Sequence, residues 1–469
     1  MTPLTECRGI PQVFHKYFIT RIRFVLIACI AALSLQAKAQ NKTTTDTVPY
    51  LTLDQCIAYA LQYQPHAKQA LINIDIARKT NAINLAGWMP QVNLSANIYH
   101  YIELPTSLVT NQSNPDGPPI PVKAGVSNTS TPQLSVTEAL FSPNLLYSAE
   151  SAHLFVEQAK QASDSNQINI IAGVSKSFYN LLFNLEQITV LIEDTARLGK
   201  SVRDAYHQYI GGIVDKTDYK EAIITLNNSK AQLKQAQENV IPLYAQLQQE
   251  MGFPPEKKFN VNFDTAKMMN EIKADTIQQL KYENRIEYQL LSTSQKLQQQ
   301  TINYYKYNFL PTVSAFYFYN YEFESDDFSS LYSQAYPYSY IGASINIPLF
   351  TGLARLEGIQ RAKLQGQILD LDADNLKLTI YAEYTSALAN YKTNLYDLMA
   401  LRENDAMAKD VYNVVTLQYK QGIVAYLNVI TAESNLISSE ISYLNALFQV
   451  LSSKVDLEKA LGNITPSKH

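Results

Sequence analysis

The chain states its plan twice. GWMPQVNLSANIYHYIE, from Gly87, lies over NFLPTVSAFYFYNYEFE, from Asn308, with Met89-Pro90 on Leu310-Pro311. EALFSPNLLYSAESA from Glu138 lies over IPLFTGLARLEGIQR from Ile347, so that Leu140-Phe141 matches Leu349-Phe350. QYIGGIVDKTDYK (Gln208 to Lys220) is echoed by QYKQGIVAYLNVI (Gln418 to Ile430), and LQQEMG (247–252) by LEKALG (457–462). Four correspondences in one order, about 210 residues apart, make a duplicated module; the period is far too long for a solenoid. The 469 residues therefore divide into halves at about 50–252 and 273–462 rather than into unrelated domains.

Each half reads as helix, strand, loop, strand, long helix, glycine turn, helix. The first helix spans roughly Leu53 to Trp88, its copy about Asp275 to Phe309, and each stops at a proline that cannot continue it. From about Pro143 to Tyr209 the pattern is helical throughout. There Ile171, Val174, Phe178, Leu181, Leu185, Ile188 and Ile192 step 3,4,3,4, the rhythm of a coiled-coil seam. In the second half Leu427, Ile430, Ser434, Ile437, Ile441, Leu444, Phe448, Leu451 and Val455 keep the same rhythm with one polar member. A helix of this length is about 100 Å long. The helices near 53–88 and 215–250 together match it, so one long helix packs against two shorter ones placed in line.

Strands are expected at about 91–104, 132–141, 312–323 and 339–349. Val92, Leu94, Ala96 and Ile98 alternate with polar residues, as do Leu134 and Val136, and Ile341, Ala343, Ile345 and Ile347. Val313, Ala315, Tyr317 and Tyr319 do the same, although Phe316 and Phe318 make that strand apolar on both sides. About ten residues is the length a tilted membrane strand needs. Four strands cannot close a barrel, and lipid tolerates no open edge, so several chains must each contribute four. The connection 105–131 carries five prolines and reads as an exposed loop, and the second connection, 324–338, is rich in Ser, Tyr and Asp.

Residues 1–39 read as an export signal: Lys16, Arg21 and Arg23, then the apolar run 24–35, then Ala37-Lys38-Ala39 as a cleavage site. Leu26-Ile27-Ala28-Cys29 offers lipidation at Cys29 as the competing reading. Removing the signal takes five basic residues and one acidic residue, so the formal charge of −4 becomes about −8. An acidic exported chain has no electrostatic footprint for nucleic acid. Cys56 is then the one remaining cysteine, which excludes an internal disulfide. His66, His100, His153 and His207 are scattered with no ligand spacing, and no phosphate loop or nucleophile elbow occurs. Neither metal, cofactor nor catalysis is expected.

On the duplicated layout, the prolines Pro90 and Pro311, the two Leu-Phe pairs and the Tyr-x-x-Gly turns, the chain from about 50 to 462 resembles the TolC-like outer membrane efflux proteins. The resemblance implies an α+β, mostly α fold. Long antiparallel coiled-coil helices form a periplasmic tunnel, and four membrane strands per chain complete a twelve-stranded barrel in a homotrimer. Residues 40–252 and 273–462 become the two structural repeats, 253–272 an equatorial linker and 463–469 a tail. It implies a passive duct in the outer membrane of a Gram-negative cell, joined to a periplasmic adaptor and an inner-membrane transporter and exporting small molecules. A type I protein secretion duct remains the alternative within the family; a secreted coiled-coil structural or adhesive protein is the alternative outside it.

The resemblance places Gly211, Gly212, Ile213, Val214, Gly422, Ile423 and Val424 at the tunnel tips, where an adaptor docks. A tight reversal needs a residue that accepts positive φ, and the apolar pair behind each glycine is otherwise unexplained surface. Asp218 and Tyr419 match a pair that links tip helices in the family's closed state. The acidic rings of that state fall on Asn428 and Thr431, which are neutral here, and Asp218 and Glu221 are the nearby acids that remain. Neutral rings lose the focused potential that holds cations in a narrow pore.

Overall fold

A computed structural model describes residues 49–110, 117–262, 268, 272, 274 and 278–466. The export signal, Cys29 and most of the expected linker beyond 262 lie outside the described residues. The elements in chain order are β1 (Tyr50–Leu51), α1 (Leu53–Tyr63), α2 (Pro65–Leu85), β2 (Gln91–His100), β3 (Thr106–Val109), β4 (Ile120–Lys123) and β5 (Asn128–Phe141). The first half ends with α3 (Pro143–Ile210) and α4 (Lys216–Met251). After β6 (Asn260–Val261) the second half gives α5 (Ile286–Tyr307), β7 (Thr312–Ser325), β8 (Ala335–Asn346), α6 (Ala354–Lys420) and α7 (Tyr426–Leu461).

The two long helices hold 68 and 67 residues, which is about 100 Å at 1.5 Å per residue. In each half the long helix packs against both shorter partners: α3 against α1, α2 and α4, and α6 against α5 and α7. Contacts of α3 with α5 and α7 join the halves.

The expected helix 53–88 is instead two helices and a final 3₁₀ turn. Pro65 has no N–H to donate and forces Gln64 into extended backbone, φ −62° and ψ 130°. The Gln64 side chain then caps α2, accepting from the Ala67 N–H at 3.0 Å. Upstream, Thr52 and Gln55 form a reciprocal capping box that starts α1. Helix α5 begins at Ile286, eleven residues later than expected, behind a 3₁₀ turn at Tyr282–Asn284.

The four long strands form one antiparallel sheet in the order β2-β5-β7-β8. Their bounds differ from the expected ones by up to four residues, and the proline-rich connection carries an extra hairpin, β3 with β4. Register puts the expected apolar sets on one face: Val92 and Leu94 oppose Val136 and Leu134, which oppose Tyr317 and Tyr319. Tyr317 in turn opposes Ile341, and Val313 opposes Ile345. This face is bare, with Leu94 77% and Ile341 83% exposed. A continuous apolar face across four strands is a surface made for lipid. On the other face Phe316, Phe318 and Tyr340 pack in tilted and edge-on contacts with centroids 5.2–6.2 Å apart. Among the described residues one edge of β2 and one edge of β8 have no partner, which a membrane does not permit. Among the described residues no helix is long and apolar enough to cross a membrane.

Where α1, α3, α4, α6 and α7 meet, a large core gathers Cys56, Val174, Phe178, Leu181, Leu247, Leu447, Leu451 and Leu457. Short β1 pairs parallel with β6, and Tyr59, Phe253, Phe259 and Tyr244 pack ring to ring beside it at 5.0–5.4 Å. Burial lifts the Cys56 thiol to about 12.

The seams keep the expected period and part of the expected register: Val174, Phe178 and Leu181 on α3 and Phe448, Leu451 and Val455 on α7 are buried as expected. Over the first part of α7 the buried stripe is instead Tyr426, Val429, Glu433 and Leu436, one residue ahead of the expected series. Leu427 and Ser434 are exposed, as is Ile192 on α3. One residue is about 100° of helix rotation. The apolar stripe on α7 is wider than a single seam, and its inner half faces α3 and α6 within the chain.

Candidate functional site at the helical turns

Both turns close by the same hydrogen bonds. In the first, the Ile213 N–H donates to the Gln208 carbonyl at 2.9 Å and the Gly212 N–H to that of Tyr209 at 3.0 Å. In the second, Ile423 donates to Gln418 and Gly422 to Tyr419, both at 2.9 Å. This 6→1 and 5→2 pairing is the Schellman motif, which requires a left-handed residue at its centre. Gly212 and Gly422 supply it with φ of 70° and 73°. Gly211 precedes the reversal with ordinary right-handed backbone.

A residue at the position of Ile213 or Ile423 usually folds back on the preceding helical turn. Here Ile213 is 77% and Ile423 70% exposed, while Val214 and Val424 are half-buried. Each turn thus presents one bare isoleucine at its apex, braced by the valine beside it.

The helices behind the turns are tied by aromatic packing. Tyr209 stacks parallel on Tyr219 at 6.3 Å, Tyr206 meets Tyr219 at 5.3 Å and Tyr419 meets Tyr426 at 5.3 Å. Ala205, Ala222, Tyr426 and Val429 form a small separate core there. The expected Tyr419–Asp218 hydrogen bond is absent among the described residues: the Tyr419 hydroxyl donates to the Gln208 side chain instead. Gln208 lies on α3 and so within reach of the end of α6, which wins the contact. Asp218 stays close enough for its charge, after burial, to raise the Tyr419 hydroxyl. Glu221, Asn428 and Thr431 are exposed, and the Thr431 hydroxyl donates back to the Leu427 carbonyl at 2.9 Å. No metal-binding cluster occurs among the described residues.

One buried polar group is not visible in the sequence pattern. Asp194 on α3 and Glu433 on α7 are both fully buried. Asp194 accepts from the Ser229 hydroxyl of α4 at 2.5 Å. The Arg197 guanidinium stands 3.5 Å from Asp194, 3.9 Å from Glu433 and 3.8 Å from Glu440. Burial, then Asp194, push the Glu433 carboxyl up to about 7, against the pull of Arg197. The signal that finds Glu433 is the register: counted from Tyr426 rather than Leu427, it falls inside the seam.

Comparison with known proteins gives this architecture a family. The pattern of the family described as "Outer membrane efflux protein" matches residues 56–252 and 283–463. The chain is 23% identical over 317 residues to a probable efflux pump outer membrane protein of Pseudomonas putida, TtgC, covering 65% of this chain and 62% of that protein. The solvent efflux pump outer membrane protein SrpC of the same species is 27% identical over 138 residues, 29% of each chain. Thus the chain spans less than two thirds of TtgC. Among solved structures, CusC aligns over 90% of this chain and 95% of its own with a TM-score of 0.70 and 15% identity. The Campylobacter jejuni CmeC outer membrane channel aligns over 92% of each chain with a TM-score of 0.67 and 16% identity. These likenesses establish the fold, and the family pattern spans both repeats. The chain belongs to the outer membrane efflux protein family.

Proposed function

We propose that this chain is the outer membrane duct of an export pump. Three copies each give four strands to one barrel, and their helices form the wall of a tunnel ending at the turns. The observation that carries this reading is the exposed aliphatic face of a sheet with two unpaired edges. Lipid covers such a face, and only closure with further copies satisfies such edges. That arrangement has no use in a secreted adhesive coiled coil.

The turns are the docking points for a periplasmic adaptor, which links the duct to an inner-membrane transporter. Ile213 and Ile423 are the anchors, and the half-buried Val214 and Val424 hold them outward. Small molecules are the cargo, in line with the relatives named for solvent and toluene efflux. Energy comes from the transporter.

The test is drug or solvent tolerance in a deletion strain complemented with the double variant Ile213→Asp, Ile423→Asp. Tolerance falls to that of the deletion strain while trimers still form in the outer membrane. Full tolerance in that variant would refute docking at the turns.

A further inference from the structure

Glu433 occupies an unusual position for a carboxyl group. It is fully buried, and among the described residues neither of its oxygens has a hydrogen-bond partner. A buried ion without hydrogen bonds is among the costliest arrangements a protein can hold. The same group with a proton is far cheaper.

The surroundings do not supply a full counter-charge. From α3, Asp194 and Arg197 face it, and Arg197 is already paired with the second Asp194 oxygen at 3.5 Å. Helix α4 adds the Ser229 hydroxyl, already committed to Asp194. From α6, Tyr412 lies close enough to feel the Glu433 charge; one turn away Lys409 bridges Asp405 at 2.9 Å and Glu440 at 3.5 Å. On α7 itself, Tyr426 and Glu440 complete the set. Four carboxyl groups thus share Arg197 and Lys409, and Glu440 draws on both cations. Glu433 is the member left without a hydrogen bond.

The location gives this shortage a consequence. Asp194 and Ser229 belong to the first helical hairpin and Glu433 to the second, so the cluster sits in the contact between the two. Glu433 is about 10 Å along α7 from its start at Tyr426, just behind the turns. We propose that Glu433 is a proton-binding site in the contact between the two hairpins: protonated, it lets α7 pack on α3, and ionised, it drives α7 away from α3 at the turn end. The inference rests on the duct reading for its purpose, since that motion widens the tunnel tip.

The sign follows from linkage. The packed state binds the proton more tightly than a separated state in which Glu433 is hydrated and titrates at its ordinary 4.5. Packing is therefore undisturbed below that value and weakens as pH rises towards about 7, with no further change well above it. Between pH 6 and pH 8 the ratio of separated to packed hairpins rises about tenfold per chain.

The experiment uses the full assembly in detergent or nanodiscs. Spin labels at Gln421→Cys report distances between tips from pH 5.5 to 8.5; Cys56, buried with a raised thiol pKa, stays unlabelled. Infrared difference spectra over the same range follow the protonated carboxyl band. Native protein shifts towards long tip distances as pH rises, and the band disappears in step. Glu433→Gln abolishes the band and holds the short distance at every pH. Asp194→Asn, which keeps an acceptor for Ser229, removes the like charge and moves the titration to lower pH; it also serves if Glu433→Gln fails to assemble. Tip distances independent of pH in native protein, or a pH response that survives Glu433→Gln, would overturn the proposal. Conductance measured in parallel separates the two readings: a protein that titrates and moves but never conducts refutes the duct and leaves the proton site standing.

Discussion

Of the six glycines with positive φ among the described residues, four follow the C-terminal ends of α3, α4, α6 and α7, and they differ in what surrounds them. Gly212, Gly252, Gly422 and Gly462 have φ between 64° and 74°. A Cβ at Gly212 or Gly422 meets nothing within 4 Å, whereas one at Gly252 falls 2.7 Å from the Gln64 Cα and one at Gly462 falls 2.7 Å from the Asn284 carbonyl oxygen. Alanine at the turns therefore costs only the left-handed backbone penalty, about 1–2 kcal/mol per chain. At Gly252 and Gly462 the same penalty is joined by a clash with backbone that must shift, adding roughly 1–3 kcal/mol. Asparagine, which tolerates left-handed backbone, recovers stability at 212 and 422 but not at 252 and 462, because its Cβ meets the same atoms. Denaturant midpoints of the detergent-solubilised assembly, measured for Ala and Asn at each position, give the comparison. If Gly422→Ala is as damaging as Gly462→Ala, or Asn gives no recovery at the turns, the reasoning fails.

Further perturbations have equally definite outcomes. Leu94→Lys or Ile341→Lys puts a charge on the lipid face and costs about 2–4 kcal/mol if the position lies at the bilayer midplane; the yield of assembled protein in outer membrane fractions falls accordingly. Arg285, 4% exposed, donates to the Ala460 carbonyl at 3.1 Å, to Glu383 at 2.7 Å and to Glu287 at 3.0 Å. Because both acids are partly solvated, Arg285→Ala costs about 1.5–3 kcal/mol, mainly from the orphaned carbonyl, and Lys recovers only part of it in thermal melts. Asn428→Asp with Thr431→Asp creates a ring of carboxylates near the turns, so that divalent cations reduce conductance in the double variant and leave native protein unaffected. Cys56 resists alkylation in folded protein at pH 8 and reacts fully once denatured, as mass spectrometry reads directly.

Much of this architecture was legible because duplication checks itself. Pro90 and Pro311, Gly212 and Gly422, and Gly252 and Gly462 each mark the same boundary twice, so an accidental match at one is caught at the other. The strand faces followed from period 2 alone, and register bore them out from Val92 to Ile345. What was not legible depends on rotation and on distance in the chain. A 3,4 repeat fixes the spacing of a seam but not which of two adjacent stripes lies inside when, as on α7, both are apolar. That one-residue ambiguity hid Glu433. The Tyr419 contact was assigned to Asp218 by position, while Gln208 is the group that reaches its hydroxyl. The break at Pro65 was readable in principle, since the residue before a proline leaves helical backbone.

A duct of this kind requires that the four strands of one chain be completed by two further copies. Native mass spectrometry of the protein extracted from outer membranes in mild detergent measures this directly. A single species of three chains is the predicted result. A monomer that stays in solution without detergent would contradict it.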